Sequence, residues 1–285
     1  MSNTYSATLV TESLSKAAIT VLQNKFSPLK AYATQVETDP IKPLAKVEVK
    51  HITAGGTTQT NATNFESGDS TIAAIGVTMN QYSQSFNVSN ADLNNGLRIE
   101  DLARANAKAL ASKIQQVVNA VLTTTNFTAT PIVSAPAGFG LSDLQSLYGT
   151  LKKADEKNLI LDGDYFARIT NQPGYYQPAG VVPGDGWRPF GWNFIGENTE
   201  WTGAGANVRG FACATTAIAA AVGVPLEAPN SKILTREIIT IPGLEIQIAA
   251  HTWFAPASRS LWASYDVMFG AALGDASAGV LVKSA

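Results

Sequence analysis

Apolar and charged side chains alternate in Lys46-Val47-Glu48-Val49-Lys50, and Ile75, Val77 and Met79 repeat the alternation. A period of two is the signature of a half-covered strand. Between the runs lies a ribbon, residues 51–74, rich in Thr, Asn, Gly and Ser, whose only full charges are Glu66 and Asp69. Together the three pieces predict one long hairpin over residues 45–83. Each arm of about 18 residues would reach on the order of 60 Å. A compact chain of this length has a radius of gyration of only about 19 Å. The ribbon has no apolar face with which to fold back, and isolated two-stranded hairpins are marginal in water. Its far end is therefore expected to project and to lie on another molecule.

A period near 3.6 marks residues 99–122. Ile99, Ala103, Leu110, Ile114, Val118, Val121 and Leu122 form an apolar stripe, which predicts a helix about 36 Å long. Glu100 and Asp101 are expected in its first turn, with Glu100 and Arg104 spaced for an ion pair. Residues 5–26 read as an amphipathic helix or an extended arm, followed by a segment that Pro28, Pro40 and Pro43 keep extended. Residues 141–158 predict a second amphipathic helix with Ser142 as N-cap. Residues 159–169 read as a short buried strand, a turn and a helix start. Residues 173–210 are loop-rich and hold Trp187, Trp192 and Trp201. Residues 211–224 read as a strand entering a helix of small residues, and the remainder is β-rich. No internal repeat is found.

Composition narrows the class. Of the 285 residues, 15% are charged, against roughly 25% in an ordinary domain, so much of the surface is expected to be covered by something other than water. The net charge of −2 and the lack of a basic block argue against a protein that grips nucleic acid. One cysteine, Cys213, excludes an intramolecular disulfide, suits a reducing compartment and reads as a small buried thiol. No signal peptide is read at the N-terminus, and no apolar run is long enough to span a membrane.

The search for chemistry finds none. His51 and His251 are the only histidines, and both read as ordinary surface or interface residues. No nucleophile elbow, phosphate loop or zinc spacing occurs. The Asp-Gly-Asp at 162–164 and Gly-Asp-Gly at 184–186 read as turns. No catalytic, cofactor-binding or metal residue is assigned, and no cofactor is expected. The three tryptophans read as anchors of a loop-rich region or of a subunit contact, with a carbohydrate-binding platform as the lesser alternative.

The order of these features resembles the major capsid protein of tailed bacteriophages. That fold is shared with encapsulin nanocompartments and the floor of herpesvirus shells. The resemblance implies an α+β fold with five parts. Residues 1–44 correspond to an N-terminal arm and 45–83 to the extended hairpin called the E-loop. Residues 84–134 are a peripheral domain carrying the spine helix, 135–245 an axial domain, and 246–285 strands returning to the peripheral domain. It implies that Thr57, Thr58, Gln59, Asn61, Asn64, Phe65 and Glu66 of the E-loop contact the neighbouring subunit. Trp187, Trp192 and Trp201 would anchor the axial loops. The implied function is structural: a subunit that assembles with itself into pentamers and hexamers of an icosahedral head around double-stranded DNA. Scaffolding, portal and decoration proteins are the implied partners, the DNA is held weakly, and the chain has no membrane role. Its place is the virion, assembled in the host cytoplasm. An encapsulin-type shell is the alternative, and a tail or fibre subunit a more distant one. No long charged leader is seen, so assembly is expected to rely on a separate scaffold or on the shell itself.

Overall fold

The structure is a computed structural model. It describes residues 7–37, 39–53, 71–88, 96–151, 154, 156–172, 175, 189–227, 233–256 and 260–285. The architecture is mixed α+β. Helix α1 (Ala7–Phe26) leads through a 3-10 turn at Ser27–Ala31 to strand β1 (Ala33–Val36). The hairpin follows as β2 (Lys46–Thr53) and β3 (Thr71–Thr78), then β4 (Asn80–Val88) and the long helix α2 (Gly96–Asn119). Next come β5 (Ile132–Val133), α3 (Leu141–Thr150), β6 (Asn158–Leu161), α4 (Gly163–Thr170), β7 (Phe194–Glu197), β8 (Val208–Cys213) and β9 (Ile218–Gly223). The chain ends in β10 (Ile233–Ile241), β11 (Ile246–Ala255), β12 (Ser260–Leu273) and β13 (Gly279–Lys283).

Among the described residues the strands form three sheets. The larger runs β1-β9-β12-β11-β10, with β4 also pairing β12. The second runs β5-β13-β8-β6-β7, and β2-β3 form the third. β10 and β11 pair with each other, and β13 pairs with β8 of the second sheet.

The apolar stripe of α2 explains its place. Ile99, Ala103, Leu110, Ile114, Val118, Val121 and Leu122 are all buried in the main core. The helix begins three residues earlier than its stripe, at Gly96, so Glu100 and Asp101 fall beyond the first turn. Glu100 still pairs with Arg104 at 3.5 Å. Helix α1 packs beside α2 through Leu14, Ala18, Leu22 and Phe26. Polar ties fix its position: Ser15 Oγ donates to Glu237 Oε2 at 2.6 Å, Tyr265 OH to the Leu14 carbonyl at 2.9 Å, and Gln115 Nε2 to the Lys25 carbonyl at 2.7 Å. The last of these satisfies one of the carbonyls a helix end leaves open.

Three expectations are corrected. Residues 218–223 are a strand, not a helix of small residues. Alanine favours helix in isolation, but here both faces of the strand are covered. Ile218, Ala220 and Val222 face the main core, while Ala219 and Ala221 face a cluster under the hairpin. Tertiary burial overrides propensity where a central strand is enclosed on both sides. Helix α3 stops at Thr150, and its N-cap is Gly140, whose N–H donates to Asp143 Oδ2 at 3.0 Å; Ser142 lies inside the helix. Finally, the second hairpin arm ends at Thr78. The chain turns at buried Met79 and continues as β4, which pairs with β12 from Phe269↔Asn80 to Leu261↔Val88.

Candidate assembly hairpin

The stem of the hairpin is in register from Lys46↔Thr78 to Thr53↔Thr71. Two eight-residue strands give a described stem of about 26 Å. Alternation sorts its faces. Val47, Val49, Ile75 and Val77 pack over Ala219, Ala221 and Met268 of the larger sheet. Lys46, Glu48 and Lys50 are exposed. The turn into the stem is fixed by the backbone: Leu44 N–H donates to the Met79 carbonyl at 2.7 Å and Met79 N–H to the Ala45 carbonyl at 2.9 Å. Leu44 is held at φ 64°, a costly conformation for a residue with a side chain.

The stem lies on the sheet at backbone distance. A Cβ at Gly270 of β12 would overlap the Thr78 carbonyl oxygen and come within 2.6 Å of Val77 Cγ1. Only glycine admits that approach. The residues implied as intersubunit contacts, Thr57, Thr58, Gln59, Asn61, Asn64, Phe65 and Glu66, lie outside the described residues.

Trp192 and Trp201 fall in different cores. Trp201 is buried and its Nε1 donates to the Asn198 carbonyl at 2.7 Å. Its loop rests on the end of α2, where Asn119 Nδ2 donates to the Glu200 carbonyl at 2.6 Å. Gly203 sits at φ 91°, and a Cβ there would lie 3.1 Å from the Gln116 carbonyl oxygen, a tight approach in a conformation that favours glycine. Trp192 is fully buried in a second cluster with Leu144, Leu147 and Tyr165. Trp187 lies outside the described residues.

One polar pair was missed by sequence reasoning. His251 on β11 contacts Asp266 on β12 through Nε2 and Oδ2, and Ser264 Oγ donates to Asp266 Oδ1 at 2.8 Å. Burial pushes the Asp266 carboxyl upward, but hydrogen bonds from His251, Ser83 and Ser264 outweigh it and leave the pKa below the ordinary value. The sequence signal was a lone acid in the otherwise uncharged run of β12. The Ser264 proton is committed to the carboxylate, so the trio ties strands together and presents no base-activated nucleophile. The side chain of His51 is not described. Asp162 precedes α4 and pairs with Arg209 at 3.5 Å. Cys213 is fully buried and burial pushes its thiol pKa up. Among the described residues no cluster of three metal-ligating side chains occurs, and no helix is long and apolar enough to cross a membrane.

Comparison with solved structures identifies the fold. The chain is similar to the subunit in the crystal structure of the virus-like particle from Pyrococcus furiosus, with a TM-score of 0.50 and 13% identity over 95% of this chain and 98% of that one. Further matches are the capsid of Cyanophage P-SCSP1u, with a TM-score of 0.48 and 11% identity over 89% and 87%, and the capsid of Gordonia phage Cozz, with a TM-score of 0.49 and 12% identity over 92% and 87%. No family model matches the chain, and no curated protein does. The fold is the capsid-protein fold to which the sequence resemblance pointed.

Proposed function

We propose that this chain is a structural shell subunit, the major capsid protein of a tailed phage. Pentamers and hexamers of it close an icosahedral head around double-stranded DNA. The observation that carries the reading is end-to-end likeness in fold to a particle-forming subunit, covering 95% of this chain. The hairpin serves as the E-loop, with Thr57, Thr58, Gln59, Asn61, Asn64, Phe65 and Glu66 lying on the next subunit. Helix α2 serves as the spine of the peripheral domain, and the region around Trp187, Trp192 and Trp201 as the axial domain. Scaffolding, portal and decoration proteins are the further partners, and the mildly negative chain touches the packaged DNA weakly. Assembly takes place in the host cytoplasm and the product is the virion.

A second reading, an encapsulin-type shell without a packaged genome, is favoured by one observation: the match with the TM-score of 0.50 is to a virus-like particle. Negative-stain microscopy of the purified chain tests both. Uniform polyhedral shells are expected, and a monodisperse monomer under all assembly conditions contradicts both. Nuclease-protected double-stranded DNA in particles from the native source separates the phage head from the cargo shell.

A further inference from the structure

The larger sheet is covered on both faces, and the two covers differ in charge. On one face α1 and α2 lie side by side. Leu22 and Phe26 of α1 and Leu110 and Ile114 of α2 share one core with Ile239, Ile248, Tyr265 and Phe269 of the sheet. On the other face the hairpin stem rests over Ala219, Ala221 and Met268. The outward sides of the helices therefore make one surface of the chain, and the outward side of the stem belongs to the opposite one. On the stem the exposed charges alternate in sign, Lys46, Glu48 and Lys50. On the helices they do not. Over residues 13–26 of α1 and 102–119 of α2 there are five basic residues, Lys16, Lys25, Arg104, Lys108 and Lys113, and no acid. Two of the five are already engaged. Arg104 takes Glu100 at 3.5 Å and Asp101 at 3.8 Å. Lys25 Nζ donates to Thr199 Oγ1 at 2.7 Å, at the end of α1 where Glu197 and Glu200 also stand. Lys16, Lys108 and Lys113 are exposed, and the ion pairs among the described residues include none of them. Glu12 is the one acid of α1.

We propose that the helix surface faces the inside of the shell and meets the phosphate backbone of the packaged double-stranded DNA through Lys16, Lys108 and Lys113. The inference rests on the shell reading above and names the face that makes the weak DNA contact. Charge complementarity selects the partner. A duplex is a dense line of negative charge that any cation can neutralise without reading sequence. A lysine suits that task, being a point charge on a flexible stem. Between the lysines α2 presents Ala105, Ala109 and Ser112, which carry no charge to oppose a phosphate. The contact is weak for each subunit. Three neutralised phosphates would lose only about 40-fold in affinity between roughly 50 and 200 mM salt. Repetition around a closed shell multiplies it without making any one contact hard to break. The surface forms no basic block in the sequence because its two helices are separated by the whole hairpin.

Lysine footprinting of the particles gives the test. Filled particles from the native source and the same particles emptied of nucleic acid are treated with a small N-hydroxysuccinimide ester, and the acylation rate of each lysine is read by mass spectrometry. At low salt Lys16, Lys108 and Lys113 should react several-fold more slowly in filled particles than in empty ones. The difference should shrink as salt is raised, because the protecting contact is electrostatic. Lys46 and Lys50, on the opposite surface, should react alike in both. Equal rates at Lys16, Lys108 and Lys113 overturn the proposal, and so does protection of Lys46 and Lys50 in their place. Particles that hold protein and no nucleic acid, with the three lysines protected by that protein, also overturn it. Failure of the parent chain to form particles removes the shell reading itself and is seen before any lysine is compared.

Discussion

Two described segments, the loop that carries Trp201 and the root of the hairpin, are held by opposite means. The loop that carries Trp201 is fixed by bulk: one buried indole, its hydrogen bond to the Asn198 carbonyl, and Asn119 gripping the Glu200 carbonyl. The root of the hairpin is fixed by smallness. Gly270, Ala219 and Ala221 let a two-stranded ribbon settle on the sheet at backbone distance. Bulk fails on truncation, because a cavity remains. Smallness fails on addition, because nothing can move aside. The difference suits two duties. The loop has only to hold a local shape, whereas the root must aim a long element, and a backbone-to-backbone seat fixes direction better than flexible side chains do.

The largest effect should come from truncating the loop's anchor. Trp201→Ala is expected to cost ~3–5 kcal/mol, read as a lowered denaturation midpoint. Trp201→Phe should recover the packing but not the hydrogen bond. Next comes addition at the root, where Gly270→Ala is expected to cost ~3 kcal/mol. Gly76→Ala is the control: it lies on the outward face of the same hairpin with nothing within 4 Å of the added carbon. That change should be neutral or stabilise by about 0.5 kcal/mol. Equal losses at 270 and 76 would show that the stem does not rest on the sheet.

A smaller effect should appear in acid, in the strands beneath the root. The Asp266 carboxyl has a lowered pKa in the folded chain, so the folded state binds its proton less readily than the unfolded state. Its stabilisation is complete above the unfolded value of ~3.9 and is lost as pH falls through the lower folded value. Asp266→Asn should flatten the acid limb of a stability-against-pH curve below about pH 4. An identical acid limb would remove Asp266 from the account.

Legibility in the sequence followed how local each signal was. The stripe of α2 and the alternation of the hairpin arms repeat one chemical choice at a fixed spacing, so both were readable to within a few residues. Strand β9 was not. Ile218-Ala219-Ala220-Ala221-Val222 carries no alternation, because both of its faces are buried, and only its neighbours β1 and β12 make it a strand. The bend at Met79 was hidden for a related reason: Met79 continues the alternation of Ile75 and Val77, and the partner strand changes just after it. His251 and Asp266 stand apart in sequence and meet only through the pairing of β11 with β12. Of the candidate site residues, Trp192 and Trp201 are placed in cores of the chain itself, while the hairpin contacts and Trp187 lie outside the described residues.

The most direct test of the shell account removes what the stem is proposed to aim. Deleting residues 55–68 leaves Ala54, Asp69 and Ser70 to close a short turn between Thr53 and Thr71, a length that hairpins accept. Electron microscopy beside thermal melting is the measurement. The expected result is a variant that melts like the parent yet forms no closed particles. Normal shells from the deletion variant would contradict the assignment of the hairpin as the element that joins subunits.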